Sequence, residues 1–176
     1  ATGWTPFMYA IKDNKTAIGD RMIELGCDVN TKTKDGIYPL HIAALHGRDD
    51  TVRFLIFKKA DVEVLTEKKK QNALHIACTR SSGNSASILR ALLAVLPKDA
   101  RLQKDGDGNI PLFVALKTGL RGACQELLTN QAHEQLRVQA GPMKDTALHT
   151  AVRKRDLEVA RIFVDSGANV DATNVR

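Results

Sequence analysis

The sequence predicts an all-α solenoid of stacked helix-turn-helix units with short finger loops, and three observations point to it. First, one four-residue block recurs five times: Thr5-Pro6-Phe7-Met8, Tyr38-Pro39-Leu40-His41, Asn72-Ala73-Leu74-His75, Ile110-Pro111-Leu112-Phe113 and Thr146-Ala147-Leu148-His149. The first two copies lie 33 residues apart, and self-similarity at such a period is the mark of a repeat architecture. Second, each block opens two short runs of apolar residues at helical spacing, and a unit of that size cannot bury its apolar face alone. Third, nothing else in the chain offers a way to build a core. No apolar stretch approaches the roughly 18 residues of a membrane span, and Cys27, Cys78 and Cys124 show neither metal-ligand spacing nor even pairing. The expected organisation is one segment of five units, at about 2–32, 33–65, 66–103, 104–138 and 139–171.

In unit one, Thr5 is expected to cap the first helix and Pro6 to occupy its first turn, where a missing backbone donor costs nothing. Ile18, Met22 and Ile23 are spaced for the inner face of the second helix, and Gly26 ends it. Unit two turns its finger at Asp35-Gly36, opens a helix at Pro39-Leu40-His41, closes it at Gly47 and faces Val52, Leu55 and Ile56 inward. Tyr38 stands at its cap position, so the capping hydroxyl of a Thr is lost. Unit three keeps Leu74 and His75 but inserts Ser81-Ser82-Gly83-Asn84-Ser85 between its helices. Its second helix carries Ile88, Leu89, Leu92, Leu93 and Leu96 and should be stopped by Pro97, which cannot continue the hydrogen-bond ladder. Unit four has Pro111 and Leu112, replaces the histidine by Phe113, and departs from a glycine finger at Gln131–Gln135. A softer joint is expected over Thr129–Val138 on those grounds. Unit five restores Thr146, Leu148 and His149. Neither Trp4 nor the apolar second helix of unit five resembles a polar capping unit, so the segment reads as a piece of a longer array, truncated at both ends.

Charge is concentrated in one place. Residues 1–65 and 105–176 are each balanced, whereas residues 66–104 hold eight basic side chains (Lys68, Lys69, Lys70, Arg80, Arg90, Lys98, Arg101, Lys104) against Glu67 and Asp99, which accounts for the whole net charge of +6. Lys68, Lys69 and Lys70 are the candidate contact for an acidic partner, with a solvated finger tip as the plain alternative. The segment contains no aromatic residue on which a base could stack, so nucleic acid is not an expected partner.

No residue pattern calls for catalysis. His41, His75 and His149 occupy the fourth place of the recurring block, where an imidazole is expected to tie neighbouring turns together and not to ligate a metal. Asp105-Gly106-Asp107-Gly108-Asn109 begins like a calcium loop, but Ile110 and Leu116 stand where the sixth-position glycine and the bidentate glutamate belong, so a finger turn is expected. There is no nucleophile elbow and no phosphate-cradling loop with lysine. The sequon Asn14-Lys15-Thr16 is a three-residue pattern that recurs by chance. The expectation is a non-enzymatic chain with no metal and no cofactor, reduced cysteines and a cytosolic setting.

The recurring block, above all Pro39-Leu40-His41-Ile42-Ala43-Ala44 with Gly47, resembles the ankyrin repeat. A narrower resemblance rests on Leu74–Gly83, on Ile88–Asp99 with its Pro97, and on the double turn of Lys104–Leu112: these are similar to the ankyrin region of the TRPN (NOMPC-type) family of mechanosensory cation channels. That resemblance implies a cytoplasmic array of a homotetrameric, non-selective, force-gated channel of the plasma membrane, serving as tether or spring, with microtubules or neighbouring ankyrin arrays as protein partners. The pore is absent from this chain, so no gating or ion-binding residue carries over. The alternative is a cytosolic ankyrin scaffold that binds an acidic protein segment.

Overall fold

The computed structural model describes residues 3–79, 84–129 and 132–175. Its elements are helices α1 (Pro6–Lys12), α2 (Thr16–Glu24), α3 (Pro39–Leu45), α4 (Asp49–Phe57), α5 (Ala73–Ala77), α6 (Ser85–Leu93), a 3-10 turn (Lys98–Arg101), α7 (Pro111–Thr118), α8 (Arg121–Leu128), α9 (Ala132–Arg137), the hairpin strands β1 (Gln139–Ala140) and β2 (Asp145–Thr146), α10 (Ala147–Arg153) and α11 (Leu157–Asp165). The helices lie in two rows. One row runs α1, α3, α5, α7, α10 and the other α2, α4, α6, α8, α11, with each helix touching its neighbours in the row and its partner in the pair. The all-α stacked architecture read from the sequence is the architecture of the protein.

The first helices start for reasons local to the block. Thr5, Asn72 and Thr146 adopt extended backbone, and their side-chain oxygens accept the amides of Met8 (3.3 Å), His75 (3.1 Å) and His149 (3.4 Å), which satisfies one of the orphan donors of a helix start. Tyr38 and Ile110 make no such bond, and both are followed by proline, whose fixed φ favours a first turn. Between the helices of a pair the chain turns through positive φ at one recurring place: Asn14 (59°), Gly47 (66°), Gly119 (74°) and Arg155 (58°). Glycine is free to take that geometry, while asparagine and arginine hold it against a steric cost.

Each finger closes by one device in different chemistry. Thr33 and Thr66 hydroxyls accept the amides of Ile37 and Gln71 at 3.0 Å, and the Asp105 carboxylate accepts those of Asp107 (3.0 Å) and Asn109 (2.8 Å). The Asp-Gly run is therefore a finger turn whose carboxylate is spent on its own backbone. The fingers also pack on one another: the Gly106 amide donates to the Lys69 carbonyl at 2.6 Å. A Cβ on Gly36, which also sits at positive φ, would collide with the Glu67 side chain. The last finger is the β1–β2 hairpin, pairing Gln139 with Thr146 and Ala140 with Asp145.

One continuous core runs the length of the stack, from Phe7, Met8 and Ile11 through Leu40, Leu74, Ile88, Leu92, Leu112 and Leu127 to Phe163. Four expectations need correction. Ile18 is 48% exposed, because the helix presents Gly19 to Phe7 and Phe54 and turns Ile18 outward. Pro97 does not end α6, which stops at Leu93; the proline instead opens the 3-10 turn, consistent with the aversion of residues before proline to helical backbone. Ser85 belongs to α6 and not to the loop before it, of which residues 80–83 lie outside the described part. Where an irregular finger was expected after α8, the chain forms α9 with Gln135 and Leu136 buried; Asn130 and Gln131 lie outside the described residues.

Candidate functional site

The signature residues fall into one row. Leu40, Leu74 and Leu112 are fully buried, while Leu148 is only partly so; Pro6, Pro39 and Pro111 open their helices. His41 Nε2 donates to the Val64 carbonyl (3.1 Å) and His75 Nε2 to the Asn109 carbonyl (3.0 Å), each in the next finger along. A carbonyl only accepts, so Nε2 carries the proton and Nδ1 accepts the amide at the helix start: Tyr38 at 3.4 Å, Asn72 at 3.3 Å. Burial drives the His41 imidazole down to about 4 and lowers His75 as well, despite their backbone bonds. Both rings are therefore neutral pins between units. Phe113 replaces this pin by a buried apolar ring. His149 keeps only the local half, with Nδ1 against Thr146 Oγ1 (2.7 Å).

The basic segment is less available than its composition suggests. Lys68 is paired with Asp35 at 2.6 Å, Arg90 with Glu126, and Arg101 is buried; Arg80 lies outside the described residues. Lys69 and Lys70, with Lys98 and Lys104, remain exposed, and Glu67 beside them is held low by its bond to Lys32 (2.8 Å). Among the described residues the candidate triplet thus brings two cations without a salt bridge to the finger edge, not three. Cys78 and Cys124 are buried thiols whose ionisation burial opposes, and Cys27 is shifted the same way.

Two of the hollows beside the last pair bear on binding. One, of about 790 Å³, opens beside Leu148, His149, Val152 and Val170. The other, of about 340 Å³, lies between the α7 and α10 helices and the β1–β2 hairpin, with Phe113, Pro142 and Met143 as apolar wall and Lys117, Arg153 and Lys154 as cations. The smaller one was not legible in the sequence, because it is assembled from residues of two units, whereas the larger is lined almost wholly by unit five. Among the described residues no helix is long and apolar enough to cross a membrane.

Comparison with known proteins agrees with this geometry. The family model for ankyrin repeats (3 copies) matches residues 1–66 and 74–174. The transient receptor potential cation channel subfamily A member 1 of Homo sapiens is 28% identical across 96% of this chain, which spans 15% of that channel. The neurogenic locus notch homolog protein 1 of Homo sapiens is 26% identical across 99% of the chain and 7% of its own length, and rabankyrin-5 of Mus musculus is 26% identical across 93% and 14%. In structure, the ankyrin repeat domain of Bcl-3 superposes with a TM-score of 0.84 at 26% identity, covering 98% of this chain and 75% of that one. No enzyme family is indicated by these matches. With the recurring block, the two rows of helices and the matched family model in agreement, this chain belongs to the ankyrin-repeat family.

Proposed function

We propose that this chain is a non-catalytic ankyrin segment that spaces and binds proteins, and that within that role it serves as cytoplasmic tether or spring of a mechanically gated cation channel of TRPN type. The observation that carries the spacing role is that helix contacts along both rows run between adjacent units. A stack with neighbour-only interfaces distributes an applied load over many small rotations. The match to a cation channel supports the channel setting, and the matches to notch and rabankyrin relatives support a scaffold equally well. The scaffold reading has its own observation in the exposed Lys69, Lys70 and Lys104 along the finger edge, a surface suited to an acidic partner.

Microtubules, whose surface is acidic, are the partner to test. Co-sedimentation across a salt series is expected to show binding that weakens as salt rises and that a Lys68/Lys69/Lys70→Ala variant loses. Absence of sedimentation at low salt would remove the filament from the proposal and leave the segment as a spacer.

A further inference from the structure

The smaller hollow between α7, α10 and the β1–β2 hairpin has an unbalanced electrostatic lining. Lys117 Nζ donates to the Asn109 side-chain oxygen at 2.7 Å, and Lys154 Nζ donates to the carbonyls of Leu116 and Lys117, each at 2.8 Å. All three acceptors are neutral, and neither lysine has an ion pair among the described residues. An ammonium offers three donors, so two remain on Lys117 and one on Lys154. Among the described residues the only carboxylate in the lining is Asp145. It is already committed, accepting from Asn174 Nδ2 at 2.7 Å and paired with Arg153 at 2.5 Å. The rest of the lining is largely apolar, with Phe113 one turn before Lys117 on α7 and Ala140, Pro142 and Met143 from the hairpin. Phe113 matters here, because at this place in the second and third units a histidine bonds onward to the next finger, whereas the phenylalanine ring makes no such demand.

We propose that this hollow receives the carboxylate side chain of an extended acidic protein segment, the carboxylate meeting Lys117 and Lys154 and its methylenes lying on Phe113, Pro142 and Met143. A small inorganic anion would engage the cations and leave that apolar surface uncovered. The site rests on the interaction-surface reading above and adds a place and a chemistry to it: a second acidic-segment contact, separate from the Lys68–Lys70 finger. Charge attracts the segment from a distance, and the mixed lining fixes where it rests.

The test is an NMR titration of the whole chain with a blocked hexaglutamate peptide, with hexaglutamine as control, at low and at high salt. The expected result is amide shifts at Asn109, Lys117, Gly141, Arg153 and Lys154 that hexaglutamine does not produce and that salt suppresses. Lys117→Gln keeps a donor for Asn109 and is expected to weaken binding about two- to five-fold, the range for a partly exposed charge pair, with an unchanged melting temperature. Lys154 also caps a helix, so its variant is not used. Shifts confined to Lys68–Lys70, equal shifts with hexaglutamine, no shifts at all, or undiminished affinity in Lys117→Gln would each overturn the site. Microtubule sedimentation reads the broader proposal independently. Filament binding retained without shifts at this hollow sinks the site alone, while shifts here without filament binding support the site and count against the tether.

Discussion

His41 and His75 show how one side chain can join two units, since each ring accepts the amide that begins its own helix and donates to a carbonyl of the next finger. Protonation would leave the His41 Nδ1 with no lone pair for the Tyr38 amide, so this ring is stable only when neutral. For His41 the unfolded chain takes up a proton near its ordinary 6.5 and the folded chain only near 4. The unfolded state then binds more protons in that window, so stability is complete above about pH 6.5 and is lost as pH falls towards 4. Urea denaturation at pH 7 and pH 5 should differ by about 2 kcal/mol from this residue, and His41→Gln should remove most of that difference; an unchanged pH slope in the variant would discredit the ring as its source. The structural role of these histidines could be read from their place in the recurring block. Their partners could not, because Val64 and Asn109 are identified only by backbone carbonyls, to which the sequence gives no clue. The same limit hid the outward turn of Ile18, which depended on Gly19 meeting Phe54 of the next unit.

At the scale of an element, the ends of the first helices are finished by the following unit. Arg48 donates to the Lys12 carbonyl (3.0 Å), Asn84 to that of Gly47 (3.3 Å), Thr118 to that of Cys78 (2.8 Å), and Lys154 to those of Leu116 and Lys117 (2.8 Å each). Helix C-termini carry unsatisfied carbonyls and a partial negative charge, so cations suit them best. Thr118 supplies only a neutral hydroxyl, whose single proton its own helix carbonyls Val114 and Ala115 also attract. That weaker tie falls at the same junction where Arg101 donates to the Leu127 carbonyl (2.9 Å) and to that of Thr129. Gln135 Nε2 adds a further bond to Leu127 at 2.6 Å. Over Thr129–Val138, where a softer joint was expected, the segment carries ties of its own, a buried guanidinium and the packing of Leu136, and amide exchange is the measurement that decides between the two. Arg101→Met preserves the stem and removes the charged donors, and should cost about 1–3 kcal/mol with faster amide exchange in α9; exchange no faster than wild type would mean that packing alone holds it. Nothing near Arg101 in the sequence marks this duty, since its acceptors lie 26 and 28 residues away. The capped starts at Thr5, Asn72 and Thr146, by contrast, were legible because a cap acts within three residues.

Over the whole molecule, the periodic block made the stacked fold legible, because that fold repeats one local solution. Surface properties did not follow so directly. The net charge sits in one stretch of sequence, yet in space Lys68, Arg90 and Arg101 turn to partners in other units, leaving fewer free cations than the count implies. Stability should also be graded along the axis. Leu74 and Ala115 in the middle of the first row are fully buried, whereas Tyr9 and Val152 at its ends are more than half exposed. Native-state hydrogen exchange should accordingly be slowest in α5 and α7 and fastest in α2 and α11; uniform protection would indicate all-or-none opening instead. The successive helix ends carry a last consequence. The side-chain bonds that finish α1, α3, α5 and α7 all come from the following unit, so as the chain leaves the ribosome each of these helix ends waits for the next unit to emerge. Growth of this protein in the cell therefore has a direction, and its maturity trails its synthesis by one unit.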